Sequence, residues 1–216
     1  MVNIKNLEKI VSELKLFDAI LVAVSKNKSM DDIKLLLNLG QKAFGENYEQ
    51  ELTNKNNILP DVDWHFIGHL QSNKVHSIVS IVKLIHSTDS IKLLEEINKQ
   101  SEKLNRVQDC LLQIHIAKEE TKFGFSIEEA DKLLSSDKLN TLKYISVKGL
   151  MGMASASDDK NIIQNEFRML GKFFNKNKNT GFDILSMGMT SDYKIALEEG
   201  STMVRIGSAI FGERSK

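Results

Sequence analysis

The residues best suited to chemistry stand in the run Leu21-Val22-Ala23-Val24-Ser25-Lys26. In a strand, side chains at 22, 24 and 26 share one face, because successive residues alternate across it. Two valines mark that face as the inner wall of a closed sheet. The amine of Lys26 then emerges at the strand's carboxyl end, where barrel enzymes carry their reactive groups. Desolvation there disfavours an ammonium ion, and an amine freed of its proton is the nucleophile that Schiff-base formation with an aldehyde requires. Read alone, the stretch fits equally a solvated lysine that begins a loop.

Two later segments join glycine with hydroxyls: Leu185-Ser186-Met187-Gly188-Met189-Thr190 and Arg205-Ile206-Gly207-Ser208-Ala209-Ile210-Phe211-Gly212. Glycines let backbone N–H groups approach a ligand, hydroxyls donate further bonds, and a helix starting near Ser208 presents its positive end to an anion. Phosphate sits characteristically after strands seven and eight of a barrel. Two ordinary strand-to-helix turns have the same composition. Arg205 shares a strand face with Met203 and Gly207. Beside a pyridine nitrogen its guanidinium would donate a hydrogen bond without protonating the ring, which leaves the ring a weak electron sink. A salt bridge to a barrel carboxylate is the other use for it.

Trp64-His65-Phe66-Ile67-Gly68-His69 offers two histidines four residues apart, but they straddle a glycine and lack a nearby third ligand, so structural histidines are expected and not a metal pair. Asn47, in Phe44-Gly45-Glu46-Asn47-Tyr48, is a candidate polar contact at the mouth of a sheet or a helix cap.

The elements that must position these groups alternate. Short apolar or β-branched runs suggest strands at 21–25, 42–45, 64–67, 84–87, 111–116, 146–151, 183–187 and 204–206, with helical spacing at 30–39, 91–104, 127–134 and 162–174. Ser90, Ser126 and either Ser157 or Asp158 suit helix caps. Eight such repeats predict a single (β/α)8 TIM barrel over residues 1–216, preceded by an extra helix at about 7–17.

Composition sets the outer limits. Of 216 residues 41% are hydrophobic and 27% charged, as in a globular protein, and 29 basic side chains balance 29 acidic ones. Such a chain has no long-range attraction for nucleic acid or an anionic membrane, so any anion must be held locally. Cys110, the sole cysteine, lies in an apolar run and reads as a packed thiol in a reducing compartment. The start shows neither signal-peptide nor membrane-span character, so a cytoplasmic setting is expected.

Taken together, Ala23-Val24-Ser25-Lys26, Phe44 to Tyr48, Trp64 to Lys74, Gly149-Leu150-Met151, Leu185 to Met189 and Arg205 to Gly212 resemble the pyridoxal phosphate homeostasis protein family. The resemblance implies a barrel similar to the cofactor domain of bacterial alanine racemase. It also implies pyridoxal 5'-phosphate (PLP) as the cofactor, Lys26 as the Schiff-base lysine and Arg205 facing the pyridine nitrogen. Ser186, Gly188, Thr190, Gly207 and Ser208 would then surround the phosphate. Ser208 and Thr190 exchange one hydroxyl for another relative to the family pattern. Asn27 and Ser29 stand for its threonine and proline, and His115 for its asparagine, where titration near neutral pH would reach the cofactor if the residue is exposed.

The resemblance implies a carrier or regulator of PLP, with PLP-dependent apo-enzymes as recipients and a monomeric state. A chain of 216 residues leaves no room for the second acid-base domain that racemases use. The alternatives are a racemase of low activity, an aldolase-like barrel without cofactor, and an interaction scaffold. Attachment at Lys74 or Lys122 instead of Lys26 would move the site while sparing the fold.

Overall fold

A computed structural model describes residues 2–119, 123–178 and 181–212 of the chain. Eight parallel strands close into a barrel in sequence order: β1 (Ile20–Val24), β2 (Ala43–Glu46), β3 (Asp63–Phe66), β4 (Leu84–Thr88), β5 (Gln108–Ile114), β6 (Ile145–Gly152), β7 (Ile184–Ser186) and β8 (Met203–Ile206). The ring is closed by β1 and β8, with Val22 opposite Arg205 and Ala23 opposite Ile206. The (β/α)8 barrel expected from the sequence is thus the fold.

Alternation along the strands sorts the side chains. Val22, Ala43, Leu84, Leu111, Met151 and Met203 meet inside the barrel as one apolar cluster. Their out-facing neighbours, such as Ala23, Phe44, Ile85 and Leu112, join the larger core between strands and helices. A layer of bulky aliphatic residues at the floor leaves the carboxyl ends of the strands free for polar groups.

The helices follow the apolar spacing. They are α1 (Ile4–Lys15), α2 (Met30–Asn38), α3 (Glu49–Ile58), α4 (Val75–Ile78), α5 (Ile91–Lys103), α6 (Ile127–Leu134), α7 (Lys160–Lys176), α8 (Tyr193–Glu198) and α9 (Ser208–Phe211). Ser90 and Ser126 cap α5 and α6 as expected, and Ser126 with Glu129 completes a capping box. The cap of α7 is Asp159, one or two residues beyond the expected Ser157 or Asp158. The extra helix α1 begins three residues before the expected 7, because the Asn3 side chain accepts from the Asn6 N–H and starts the helix there. Its buried Leu7, Ile10 and Leu14 form the stripe that docks it.

Helix α1 is tied to both of the last two helices. Tyr193 of α8 donates its hydroxyl to Glu13 Oε2 at 2.6 Å, and Lys194 reaches Glu13 Oε1 at 2.9 Å. The Asn3 N–H donates to the Ile210 carbonyl at 2.7 Å and Asn6 Nδ2 to the Ala209 carbonyl at 3.1 Å, both in α9. The turns expected to hold an anion are therefore braced from outside the barrel by the N-terminal helix.

The longest strand, β6, depends on one glycine. Gly149 has φ +150°, and a Cβ there would lie 1.9 Å from the Ile184 carbonyl oxygen of the paired strand β7. Gly149→Ala must push the two strands apart. It is expected to destabilise the protein by about 2–4 kcal/mol, measured by urea denaturation monitored by circular dichroism.

Candidate functional site

Beyond β1 the chain turns at Lys26 and Asn27, so Lys26 lies two residues past the strand and not within it. Asn27 takes φ +57°, a left-handed conformation that asparagine tolerates better than most residues. Half-buried Lys26 and Val24 line a cavity of about 360 Å³ at the carboxyl end of the barrel, together with Thr190, Arg205, Gly207 and Ser208. Parity along β1 therefore does put the amine and the two valines on the barrel's inner side, as the strand pattern predicts.

One wall of the cavity is made by the last two turns. Ser208 Oγ donates to Thr190 Oγ1 at 3.2 Å, which joins the hydroxyls of the two segments. The N–H groups of Thr190, Ser191, Ser208 and Ala209 donate to no described residue, so four backbone donors stand ready for an anion. Helix α9 is a single turn. An anion would thus be held by individual N–H and O–H groups, with little from a helix dipole. Gly188, at φ +96°, is required by packing: a Cβ there would lie 2.7 Å from the Ala196 Cβ and 2.9 Å from the Tyr193 Cα. Its carbonyl accepts the Arg205 N–H at 3.0 Å. Gly207 runs against Val24, with 3.2 Å available to a Cβ. Lys28 Nζ donates to the carbonyls of Phe211 and Gly212, tying the Lys26 turn to α9.

Arg205 forms the floor. Its guanidinium donates from Nη1 to the Ser186 carbonyl at 2.9 Å and to Ser186 Oγ at 2.6 Å, and from Nη2 to the Gly152 carbonyl at 3.1 Å. No carboxylate among the described residues pairs with it, and burial pushes its pKa down to about 10. The expected alternative of a barrel salt bridge is not what the geometry shows. Nε–H and one Nη2–H are left without an acceptor among the described residues, so two donors of a fixed cation remain for a ligand.

Behind Arg205 runs a buried chain that composition does not reveal. Ser186 Oγ lies 3.0 Å from His86 Nδ1, and His86 Nε2 lies 2.9 Å from His65 Nδ1. Arginine can only donate to Ser186 Oγ, and the serine proton finds an acceptor in the tautomer in which the hydroxyl donates to His86 Nδ1 and His86 Nε2 donates to His65. Both imidazoles are neutral. Burial lowers the pKa of His65 to about 4 and holds His86 well below its ordinary value. Ser186, expected beside the phosphate, thus lies inside the barrel beneath Arg205. His86 carries the same strand parity as inward-facing Leu84, and that parity is the signal that could have found it.

The remaining candidates lie elsewhere. Asn47 is half-buried after β2, and the α3 N-terminus is at Tyr48, with no side-chain cap from Asn47. His69 is exposed, stacks on Phe123 at 4.1 Å and approaches Asp89 at 3.3 Å, whereas His65 points inward. His115 is half-buried just past β5, with Nε2 3.0 Å from the Glu119 carbonyl oxygen. Cys110 is fully buried and its pKa is pushed up to about 12 by burial. Lys74 pairs with Glu49 at 3.3 Å, and Lys122 lies outside the described residues. A larger groove of about 580 Å³ lies at the opposite end of the barrel under α1. Leu7, Val11, Leu14 and Leu39 line it together with Glu8, Lys15, Gln41, Lys42 and Asp63.

The chain is similar to known proteins over nearly its whole length. Residues 3–215 match the family described as alanine racemase, N-terminal domain. The pyridoxal phosphate homeostasis protein of Helicobacter pylori is 40% identical over 196 residues, covering 89% of this chain and 87% of that protein. This chain belongs to the pyridoxal phosphate homeostasis protein family. The family's structural likeness extends to PipY of Synechococcus elongatus PCC7942, whose PLP-bound structure superposes with TM-score 0.86 at 31% identity, covering 96% of this chain and 99% of that one. An alanine racemase of Clostridium difficile 630 shares the fold at TM-score 0.78 and 15% identity, covering all of this chain and 58% of its own. No helix among the described residues is long and apolar enough to cross a membrane.

The buried histidines make stability pH-dependent. Their folded pKa values lie below the ordinary 6.5, so the unfolded chain binds more protons. Their contribution is complete above about pH 6.5 and is lost as pH falls towards about 4. In His65→Gln the amide oxygen still accepts from His86. That variant is expected to lose stability on acidification less steeply, by up to about 1.4 kcal/mol per pH unit, in denaturation curves taken from pH 7 to 4.5.

Proposed function

We propose that this protein holds PLP as a Schiff base on Lys26 and serves as a carrier or regulator of the cofactor inside the cell. The observation that carries the reading is one cavity that joins an amine, the backbone donors of Thr190, Ser191 and Ser208 with two hydroxyls, and a buried guanidinium with spare N–H groups. Those three groups match the aldehyde, phosphate and ring nitrogen of PLP. The relatives bearing the homeostasis name and the PLP-bound PipY support the same cofactor.

Each side chain has a defined task. Lys26 would hold PLP through its aldehyde, its Nζ as an unprotonated amine being the group able to form a C=N bond there with loss of water. Thr190 and Ser208, with the adjacent N–H groups, bind the phosphate. Arg205 donates to the ring nitrogen and leaves it unprotonated, while the neutral His86 and Ser186 behind it keep the guanidinium in place. Bound PLP would supply an electrophilic aldehyde and a conjugated ring of modest electron-withdrawing power.

The same geometry supports carriage over racemisation. The titratable bases that line the cavity are Lys26 and Lys28, and the ammonium of Lys28 is bonded to two carbonyls. A racemase needs a second base on the opposite face of its substrate, whereas carriage of the cofactor needs none. Incubation with single pure amino acids is expected to leave their optical rotation unchanged, and delivery of the cofactor to an apo-enzyme is the complementary assay.

The deciding experiment is borohydride reduction of the protein incubated with PLP, followed by peptide mass mapping. The tag is expected on Lys26, and Lys26→Ala is expected to lose the visible absorbance and the tag. Retention of both in that variant would refute the assignment. In the double variant Thr190→Ala, Ser208→Ala, affinity for PLP is expected to fall by about tenfold or more, as two hydroxyl hydrogen bonds to a charged group are lost.

A further inference from the structure

The peptide units on either side of Lys26 are both held by one buried ammonium outside the cavity. Lys55 projects from α3 with its side chain only 7% exposed. Its three donors are fully used, at 2.7 Å each, on the Ser25 carbonyl, Glu46 Oε1 and Glu51 Oε1. The Ser25 carbonyl belongs to the peptide that precedes Lys26. Glu51 Oε1, held by the same ammonium, accepts the N–H of Asn27 at 2.6 Å, in the peptide that follows. Glu46 Oε1 in turn accepts the Ser25 hydroxyl at 2.6 Å.

From this geometry we infer that Lys55, with Glu46 and Glu51, is a positioning residue for the Lys26 amine, aiming it for attack on the aldehyde of PLP. The inference rests on the function proposed above. Fixing both flanking peptide planes fixes the Cα–Cβ direction of Lys26, the one part of a long flexible side chain that the backbone controls. Asn27 φ at +57° is a conformation that a non-glycine residue leaves readily unless held, and the carboxylate of Glu51 holds it. Burying an ammonium with two carboxylates gives little stability compared with apolar packing of the same volume. Placement of the turn is what such a cluster supplies that leucine or methionine would not. The cluster touches none of the groups assigned to phosphate or ring nitrogen, so its loss acts on the covalent step and spares the rest of the cavity.

The test separates capture from binding, using the full chain. Pyridoxine 5'-phosphate shares the ring and phosphate of PLP but carries an alcohol in place of the aldehyde, so it reads the cavity without the covalent step. In Lys55→Met, the rate at which the visible absorbance of the Schiff base appears is expected to fall at least about tenfold. The dissociation constant for pyridoxine 5'-phosphate should stay within about twofold of the wild-type value. Glu51→Ala, at a residue partly open to solvent, should behave in the same way, and Glu51→Gln, which keeps an oxygen acceptor for the Asn27 N–H, should restore much of the rate. An unchanged rate in folded Lys55→Met or Glu51→Ala overturns the inference. A parallel loss of rate and of pyridoxine 5'-phosphate affinity also overturns it, since that marks a general structural role. If Lys55→Met does not fold, Glu51→Ala and Glu51→Gln decide the matter. Wild-type protein that binds PLP without a reducible link to Lys26 would instead defeat the functional reading, and the inference with it.

Discussion

A guanidinium buried without a carboxylate has to be solvated by the protein alone, and much of the upper barrel is arranged around that requirement at Arg205. Two carbonyls and a serine hydroxyl take its N–H groups. The hydroxyl also meets His86, and His86 meets His65, so one buried chain of hydrogen bonds runs from the guanidinium across three further strands. An isolated charge in an apolar interior is prohibitively costly. A charge tied into a hydrogen-bonded chain is rigid, and a rigid donor is what can distinguish one ring orientation from another. The hydrophobic layer beneath, from Val22 to Met203, excludes water from the far side of that chain.

Closure of the sheet gives this floor its meaning. Because β1 pairs with β8, Val22 lies beside Arg205, and the first and last strands deliver an amine and a cation to one cavity although 179 positions separate them in sequence. A buried guanidinium with no carboxylate bonded to it is favoured when an anion joins it. The proposed function puts that anion in the cradle between the starts of α8 and α9. Its donors are backbone N–H groups and hydroxyls, which add no further net charge to a crowded site.

Much of this was legible in the sequence. The period-two pattern placed Val22, Val24 and Lys26 on one face, and the count of alternating elements gave the barrel. Glycine with hydroxyls marked the last two turns. What stayed hidden depends on relations between elements. α3 has almost no apolar stripe, with only Leu52 and Lys55 buried, so nothing in its composition marks Lys55 as different from an exposed lysine. Its burial follows from the seating of α3 over Glu46 and the turn after β1, which only the fold reveals. His86 is discoverable by parity, whereas the resemblance implies Ser186 beside the phosphate and strand register puts its hydroxyl between Arg205 and His86.

The attachment of α1 has a consequence of its own. Because Glu13 grips α8 while Asn3 and Asn6 grip α9, the opening of the first helix and the loosening of the anion cradle are one linked equilibrium. Linkage runs both ways: a ligand that organises the cradle must also suppress fraying at the amino end. The amide hydrogens of that helix, remote from the chemistry, thereby become reporters of whether the barrel is loaded.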